Sequence, residues 1–155
     1  EKIFEVLHFR KVSSEKRAAA HMPFSILFVD LDDFKKVNDT HGHDAGDLVL
    51  KRTAAVLKSI LRKSDIFGRF GGEEFVIALP DISKETAEKL AERARQKIEL
   101  AEVKLGRKKI SVTASIGVAG YEGEKTLYKM IEKADRAMYK AKKSGKNRVV
   151  MSNND

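Results

Sequence analysis

Acidic residues are concentrated at two points of this 155-residue sequence, each next to an apolar run. Asp30, Asp32 and Asp33 close the apolar stretch FSILFV, and Glu73 and Glu74 follow two glycines in RFGGEEF. Mg²⁺ prefers oxygen ligands and commonly binds one or two carboxylates together with substrate phosphates. If the fold brings the two groups together, they predict a site for hard divalent cations.

Each acidic group also has a simpler interpretation, which the sequence leaves open. The aspartates could cap a helix ahead of a short turn at Phe34–Val37, and the glutamates could be solvated acids in an ordinary hairpin. Successive residues of a strand alternate in direction, so at most one of Glu73 and Glu74 faces Asp30.

The two groups together favour the cation. Gly71 and Gly72 allow the positive φ angles of a tight turn, which would return the chain beside the Asp30 strand and let Asp30 and Glu73 converge. Two carboxylates so placed repel each other unless a divalent cation lies between them. Such a pair can hold two metal ions about 4 Å apart, the arrangement used for in-line phosphoryl displacement.

Strands are predicted where apolar residues run together or alternate with polar ones. FSILFVD is a continuous apolar run closed by an acid, which is typical of a buried central strand. Ile66–Phe70 and Glu74–Leu79 predict a hairpin around the glycines. Ile110–Ala119 alternates as one strand, and Arg148–Met151 is a short last strand.

Helices are predicted where apolar residues recur at three- and four-residue spacing. These segments are residues 1–20, His43–Arg62, a helix capped by Ser83 whose stripe extends to Ala101, and Thr126–Lys143. The order α-β-α-β-β-α-β-α-β predicts one α+β domain over residues 1–155, with residues 1–22 as a lead-in helix and helices packed on a sheet.

Composition limits the classes of protein to consider. The chain has no cysteine, hence no disulfide framework or zinc–thiolate site, and no apolar run approaches the roughly 18 residues of a membrane span. Its net charge of +8 suits a solvated basic surface, a nucleic acid, an anionic lipid or a polyphosphate ligand. Aromatic residues make up only 7% and no reading helix is evident, so we expect no nucleic-acid partner.

Four stretches of the sequence together resemble one known family. FVDLDDFKKVNDTHGHDAGDLVL, RKSDIFGRFGGEEF, SVTASIGVA and ADRAMYKAKKSGKNRV follow the order and spacing of the GGDEF family, the diguanylate cyclases, with the variant core GGEEF. The resemblance covers nearly the whole chain from Phe24 onward. It implies a five-stranded, mostly antiparallel central sheet flanked by helices, similar to the nucleotidyl cyclases and the polymerase palm.

The resemblance also implies an activity, which is the joining of two GTP molecules into cyclic di-GMP with release of two pyrophosphates. By resemblance, Asp30, the Leu31 carbonyl and Glu73 hold Mg²⁺ or Mn²⁺, with two ions in each half-site. Glu73 or a nearby hydroxide would help to remove the 3′-OH proton, and Glu74 is a second acid. Lys35 would stabilise charge on the transferring phosphate, although alone it would be taken for a solvated lysine.

Other residues match the substrate contacts of the family. Asn38 and Asp47 correspond to positions that recognise guanine, whose N1–H and 2-amino group can both donate to one carboxylate. Adenine lacks this pair of donors, so Asp47 argues for GTP over ATP, although alone it would be taken for a first-turn helix acid. The backbone that would cradle phosphate ends at Phe34, and His43 matches a substrate-side position. Lys142 and Lys146 match two lysines or arginines that contact the triphosphate.

A second site is implied by the RxxD motif before the hairpin. Arg62 and Asp65 match the product-inhibition motif of the family, and Arg93 matches a further arginine on the following helix. A surface ion pair between residues three apart is the simpler interpretation of Arg62 and Asp65.

The expected assembly follows from the same resemblance. Each domain holds one GTP, so turnover requires a homodimer. The chain starts at Glu1 and lacks the DxLTGLxNRR-like stretch usual before the first helix, so we expect a trimmed domain from a longer protein with an upstream sensory domain. We expect this domain to be cytoplasmic, whether or not the full-length protein is membrane-anchored. The alternatives are a catalytically silent cyclic di-GMP receptor and a nucleic-acid-binding domain.

Overall fold

The computed structural model describes residues 22–153. In chain order its elements are β1 (Phe24–Leu31), α1 (Phe34–His41), α2 (His43–Ile60), β2 (Ile66–Arg69), β3 (Glu74–Pro80), α3 (Lys84–Leu100), β4 (Glu102–Leu105), β5 (Lys108–Ser111), β6 (Ala114–Gly120), α4 (Leu127–Lys143) and β7 (Val149–Met151). The lead-in helix predicted for the first 22 residues lies outside the described residues, apart from Met22. No helix within residues 22–153 combines the length and the apolar character needed to cross a membrane.

Five strands form the central sheet in the order β2–β3–β1–β6–β7. All neighbouring pairs are antiparallel except β6 and β7, which confirms the predicted α+β fold with a mostly antiparallel sheet. The continuous apolar run places β1 at the centre, where every residue of the strand except Asp30 is buried. The register of β1 with β3 places Asp30 directly opposite Glu74.

The two faces of the sheet are covered by different helices. Leu27, Val29 and Leu31 of β1 belong to the core cluster that includes α2 and α3, whereas Ile26 and Phe28 belong to the cluster that includes α4. Because side chains alternate along a strand, the carboxylate of β1 shares its face with the α4 cluster. Helix α4 approaches β6 closely at Gly117, where an added Cβ atom would overlap the Ala134 carbonyl oxygen.

The prediction of one strand over Ile110–Ala119 is wrong. β5 ends at Ser111 and pairs with β4 in a separate hairpin, whose turn uses Gly106 at φ 60°. β6 begins only at Ala114, because the Thr113 carbonyl accepts a hydrogen bond from Asp32 N (2.8 Å) at this point. The alternating pattern gave no warning of this break, which depends on a residue some eighty positions away.

The segment predicted as a short turn at Phe34–Val37 is the first half of a helix, α1. The proposed capping role fails for both aspartates. Asp33 occupies the N-cap position at φ 54° without a side-chain capping bond, and the Asp32 carboxylate bonds elsewhere. The cap predicted at Ser83 is confirmed, since its side chain accepts from Thr86 N at 3.3 Å.

Candidate active site

The turn between β2 and β3 holds the Glu74 carboxylate close to the backbone. The predicted positive φ angles at Gly71 and Gly72 are wrong, since neither glycine lies in the left-handed region. A Cβ atom at Gly71 would instead lie 2.6 Å from Glu74 Oε2. Phe70 N donates to the Glu74 carbonyl (2.8 Å), and the Arg69 guanidinium donates to the Gly72 carbonyl (2.6 Å). The first glycine therefore leaves space beside a carboxylate, and a larger residue there would require the Glu74 side chain to move.

Carboxylates from neighbouring elements come together above this turn. Burial raises the pKa of Asp30, and burial together with the nearby charges of Asp30, Asp135 and Glu73 raises the pKa of Glu74. The pKa of Asp135, on α4, is raised by burial and by the Asp30 charge. Lys142 offsets only part of this negative charge, and the remainder favours the binding of a cation.

Glu73 occupies a different position from Glu74. It directly precedes β3, and its carbonyl oxygen accepts from Leu31 N at 3.3 Å. The residue that shares a cross-strand position with Asp30 is Glu74. The role of Glu73 as a metal ligand stays a prediction.

An ammonium group lies among the predicted metal ligands. Lys142 Nζ is 2.9 Å from Asp30 Oδ1, 2.9 Å from the Leu31 carbonyl oxygen and 2.9 Å from Asp32 Oδ1. Two of the three predicted ligands thus already converge on one positive charge, and their oxygen chemistry fits Mg²⁺ or Mn²⁺. Lys142 was predicted to contact triphosphate, and its ammonium group lies within hydrogen-bond distance of all three of these oxygens.

No three His, Cys, Asp or Glu side chains within residues 22–153 are grouped as a complete metal site. A cation bound here would therefore need ligands beyond side chains. A carbonyl oxygen such as that of Leu31, substrate phosphates and water are ligands that Mg²⁺ commonly takes.

The predicted guanine contacts lie where α1 meets α2. Asn38 Oδ1 is buried and has no hydrogen-bond partner among the described residues. A Cβ atom at Gly46 would overlap this oxygen and would lie 3.1 Å from Phe34 Cζ, so the glycine makes room for the amide. Asp47 is the next residue and is exposed in the first turns of α2, as is His43 at its start. The unpaired Asn38 oxygen suits a ligand that presents an N–H donor.

The remaining phosphate candidates lie around the aspartates that follow β1. Lys35 is exposed on α1. Lys146 Nζ is 2.6 Å from Asp33 Oδ1 in an exposed ion pair, and its backbone has φ 62°.

The RxxD residues form a closed pair at the end of α2. The Arg62 guanidinium donates to Asp65 Oδ1 (2.8 Å) and to the Pro80 carbonyl (2.8 Å), and Arg62 N donates to Asp65 Oδ2 (2.8 Å). The Asp65 side chain is only 1% exposed, whereas that of Arg62 is 49% exposed. Arg93 is exposed on α3 and borders a separate cleft with Glu88.

Sequence reasoning missed the parts played by two acids. Asp32 was considered only as a ligand or a cap, but it is a buried acceptor of several hydrogen bonds. Asp135 was not considered at all, although it lies seven residues before Lys142 and therefore on the same face of α4. That spacing could have indicated that both face the carboxylate of β1.

Comparisons with known proteins identify the family of this chain. The sequence matches the family described as diguanylate cyclase, GGDEF domain, over residues 7–148. The chain belongs to this family.

Two relatives show how similar the sequences are. The chain is 41% identical to diguanylate cyclase A of Treponema denticola over 154 residues, which cover 99% of this chain and 40% of that protein. It is 45% identical to the response regulator PleD of Caulobacter vibrioides over 131 residues, which cover 83% of this chain and 29% of that protein. The chain thus spans less than half the length of these GGDEF relatives.

Solved structures share the fold across most of the chain. The active GGEEF domain of a diguanylate cyclase from Vibrio cholerae has a TM-score of 0.88 and 32% identity, covering 96% of this chain and 94% of that one. The GGDEF domain of DgcB from Caulobacter crescentus, in complex with c-di-GMP, has a TM-score of 0.84 and 27% identity, covering 89% of this chain and 82% of that one.

Proposed function

We propose that this GGDEF domain is an active diguanylate cyclase that condenses two GTP molecules into cyclic di-GMP. The observation that supports this most strongly is the convergence of the Asp30 carboxylate and the Leu31 carbonyl on a positive charge, beside the further acid Glu74. Such an oxygen set suits metal-assisted phosphoryl transfer, and family membership favours GTP as the substrate.

The metal ligands in this proposal are Asp30, the Leu31 carbonyl and Glu73, for two Mg²⁺ or Mn²⁺ ions in each half-site. The bound ions would stabilise negative charge that develops on the transferring phosphate. Asp30 supports this assignment, because its carboxylate lies beside the Leu31 carbonyl and its charge is only partly compensated by Lys142.

The chain's own residues position the substrate and move one proton. Asn38 and Asp47 bind guanine, and Lys35, Lys142 and Lys146 bind the phosphates. The 3′-oxygen of one GTP forms a bond to the α-phosphorus of the other, the bond from that phosphorus to pyrophosphate breaks, and the hydroxyl proton passes to Glu73 or a nearby hydroxide. A second such transfer closes the ring.

A homodimer is part of the proposal, because one domain holds one GTP and the reaction joins two. Specific activity should therefore rise as the protein concentration rises towards the dimer dissociation constant. A specific activity that stays constant over a wide dilution range, down to protein concentrations at which light scattering shows only monomer, would contradict the dimer.

The first experiment incubates the purified domain with GTP and Mg²⁺ and separates the products by chromatography. Cyclic di-GMP and pyrophosphate are expected from GTP, and no cyclic product is expected from ATP. Glu73→Gln should abolish the product while leaving the circular dichroism spectrum unchanged. Binding of cyclic di-GMP without any turnover would instead identify a silent receptor, and salt-sensitive DNA binding unaffected by GTP would favour a nucleic-acid-binding domain.

Product inhibition is a second part of the proposal, and it rests on Arg62, Asp65 and Arg93. In the described structure Arg62 and Asp65 are hydrogen-bonded to each other. Cyclic di-GMP would therefore have to replace these hydrogen bonds with bonds to its own phosphate and guanine groups. Arg62→Ala should raise the concentration of cyclic di-GMP needed for half-inhibition, whereas Lys63→Ala, an exposed neighbour, should leave it unchanged. Equal inhibition of both variants would remove Arg62 from the site.

The setting of the domain is likewise a proposal. We place it in the cytoplasm, where GTP is available, and assign signal input to an upstream sensory domain of a longer protein. The partial coverage of the relatives is consistent with such an arrangement.

A further inference from the structure

Asp32 is a buried carboxylate that accepts hydrogen bonds from three other parts of the chain. It is only 4% exposed. Its oxygens accept hydrogen bonds from Thr113 Oγ1 (2.7 Å), Ser115 Oγ (2.7 Å), Lys142 Nζ (2.9 Å) and Asn147 N (3.0 Å). Two of these donors hold the carboxylate in place from β6 and the residue before it, and the other two belong to segments that carry the proposed phosphate lysines.

The first of these segments is the last turn of α4. Lys142 Nζ bonds Asp32 Oδ1 at the same time as Asp30 Oδ1 and the Leu31 carbonyl. A lysine side chain has several freely rotating bonds, so an anchored acceptor is needed to keep its ammonium group beside the site. Because Asp32 is itself held by two hydroxyl groups, it can act as that anchor.

The second segment is the turn after α4, which has an unusual backbone. Gly145, Lys146 and Asn147 have φ angles of 119°, 62° and 45° in succession. The first is a glycine and asparagine tolerates this region, whereas a lysine adopts it less often, so its surroundings help to hold Lys146 there. One constraint on this turn is the bond from Asn147 N to the Asp32 carboxylate.

The side chain of Asn147 supplies a constraint from the opposite side. Arg95 Nη1 donates to Asn147 Oδ1 (2.6 Å), and Asn147 Nδ2 donates to Glu99 Oε1 (2.9 Å). The turn is thus held between α3 and Asp32. Lys146 lies within it, next to the residue that both sides hold.

We propose that Asp32 is the positioning residue for both triphosphate lysines. It holds the Lys142 ammonium group directly, and through Asn147 N it holds the backbone next to Lys146, whose own ammonium group pairs with Asp33. The inference rests on the proposed function, since that proposal assigns the two lysines to the phosphates of GTP. It adds that phosphate binding depends on an acid that never touches the nucleotide.

A purely structural acid would behave differently from a positioning residue. Loss of a structural acid would weaken every ligand together, or would only lower stability. Loss of the anchor for the lysines should weaken the binding of triphosphate and spare the binding of guanine. The two cases are separated by comparing a triphosphate with a monophosphate of the same nucleoside.

The test uses the whole chain and isothermal titration calorimetry with two probes in Mg²⁺. One is the GTP analogue with a methylene group between the α- and β-phosphates, which resists turnover, and the other is GMP. Asp32→Asn should weaken binding of the analogue about tenfold or more, because hydrogen bonds to charged groups are lost. GMP binding should change by less than about twofold.

The matched control is Ser25→Ala. Ser25 is also fully buried on β1, but its Oγ donates to the Ile82 carbonyl (2.9 Å) at the far end of the strand. This variant loses a buried hydrogen bond without changing the lysines, so its preference for the analogue over GMP should match that of the wild type.

Three results would overturn the inference or the function beneath it. A folded Asp32→Asn variant that keeps the wild-type preference, or that loses both probes equally, contradicts the positioning role. A wild-type chain that binds the analogue no better than GMP contradicts the proposed function itself.

If Asp32→Asn fails to fold, Thr113→Val takes its place, because it removes one hydroxyl that holds the carboxylate. It should weaken analogue binding about threefold with GMP unchanged, and an unchanged preference then overturns the inference.

Discussion

Asp30 and Asp32 are two residues apart, their side chains are both largely buried, and both contact Lys142 Nζ. Their surroundings nevertheless shift the two pKa values in opposite directions. Burial raises the pKa of Asp30 more than Lys142 lowers it, and Asp32 adds to the rise. Burial also disfavours ionised Asp32, but hydrogen bonds from Lys142, Thr113, Ser115 and Asn147 N outweigh it and lower the pKa. The number of donors, and not burial alone, separates the two acids.

The comparison shows how a fold can keep one carboxylate available and use another as a support. A fully hydrogen-bonded carboxylate gains little from a cation, whereas one that faces other acids gains a great deal. Asp30 has Glu74 opposite it and Asp135 nearby, which is the arrangement expected of a ligand. Asp32 has the arrangement expected of a residue that positions its neighbours.

The largest effect that separates the two acids should appear in turnover. Asp30→Asn should lower cyclic di-GMP formation by about 10²-fold or more, because metal stabilisation of the phosphoryl group contributes several kcal/mol. The rate is measured by chromatography at saturating GTP and Mg²⁺. Asp81→Asn is the control, since Asp81 is exposed beyond the other end of β3 and asparagine tolerates its φ of 60°. Near-normal turnover by Asp30→Asn would show that Asp30 is not an essential ligand.

For the stability of the fold, substitution of Asp32 should have a larger effect than substitution of Asp30. Asp32→Asn should lower the free energy of unfolding by about 1–3 kcal/mol, because the donors around it lose a charged acceptor. Asp30→Asn in metal-free buffer should leave it unchanged or raise it. Urea denaturation at pH 7 with EDTA measures both, and equal destabilisation by the two substitutions would erase the proposed difference.

Lowering the pH should remove the contribution of Asp32 to the stability of the folded protein. A carboxyl group whose pKa is lower in the folded protein stabilises it above the unfolded-state value, here near 3.8, and that contribution is lost as pH falls through the lowered folded pKa. The stability gap between wild type and Asp32→Asn should therefore narrow below about pH 4. Urea midpoints measured from pH 7 to pH 3 test this, and a gap that is independent of pH would contradict it.

The smallest effect concerns Glu74. Its raised pKa means that the folded protein binds its proton more tightly, so stability falls as pH rises from the ordinary value of 4.5 through the raised one. Glu74→Gln should therefore stabilise the metal-free protein at pH 7 by about 0.2–1 kcal/mol, the range for cross-strand pairs. Thermal unfolding in EDTA measures the gain, and Glu88→Gln on α3 is the control. A loss of stability at pH 7 would show that the carboxylates do not repel.

The parts of the fold that were predicted from sequence depend on local patterns. The apolar run of β1, the β2–β3 hairpin and the capped helix after Ser83 all follow from neighbouring residues. The break before Ala114 and the β4–β5 hairpin do not, because Thr113 leaves the strand pattern to meet Asp32. Local periodicity carries no information about such a distant partner.

The same distinction applies to the site. Asp30 was proposed as a site residue because an acid that closes a buried strand is conspicuous in the sequence, and its role as a ligand stays a prediction. The role of Asp32 was missed, because its four donors lie more than eighty residues further along the chain. Gly71 was identified for its backbone freedom, whereas the structure shows that it leaves room for Glu74.

One experiment separates the roles of the two aspartates. It measures Mn²⁺ binding by electron paramagnetic resonance in the presence of the methylene GTP analogue. Asp30→Asn should weaken Mn²⁺ binding about tenfold or more, since it removes a direct carboxylate ligand. Asp32→Asn, titrated at analogue concentrations that saturate it, should bind Mn²⁺ nearly as well as the wild type. Wild-type affinity in Asp30→Asn would contradict the proposal that this carboxylate holds the metal for the cyclase reaction.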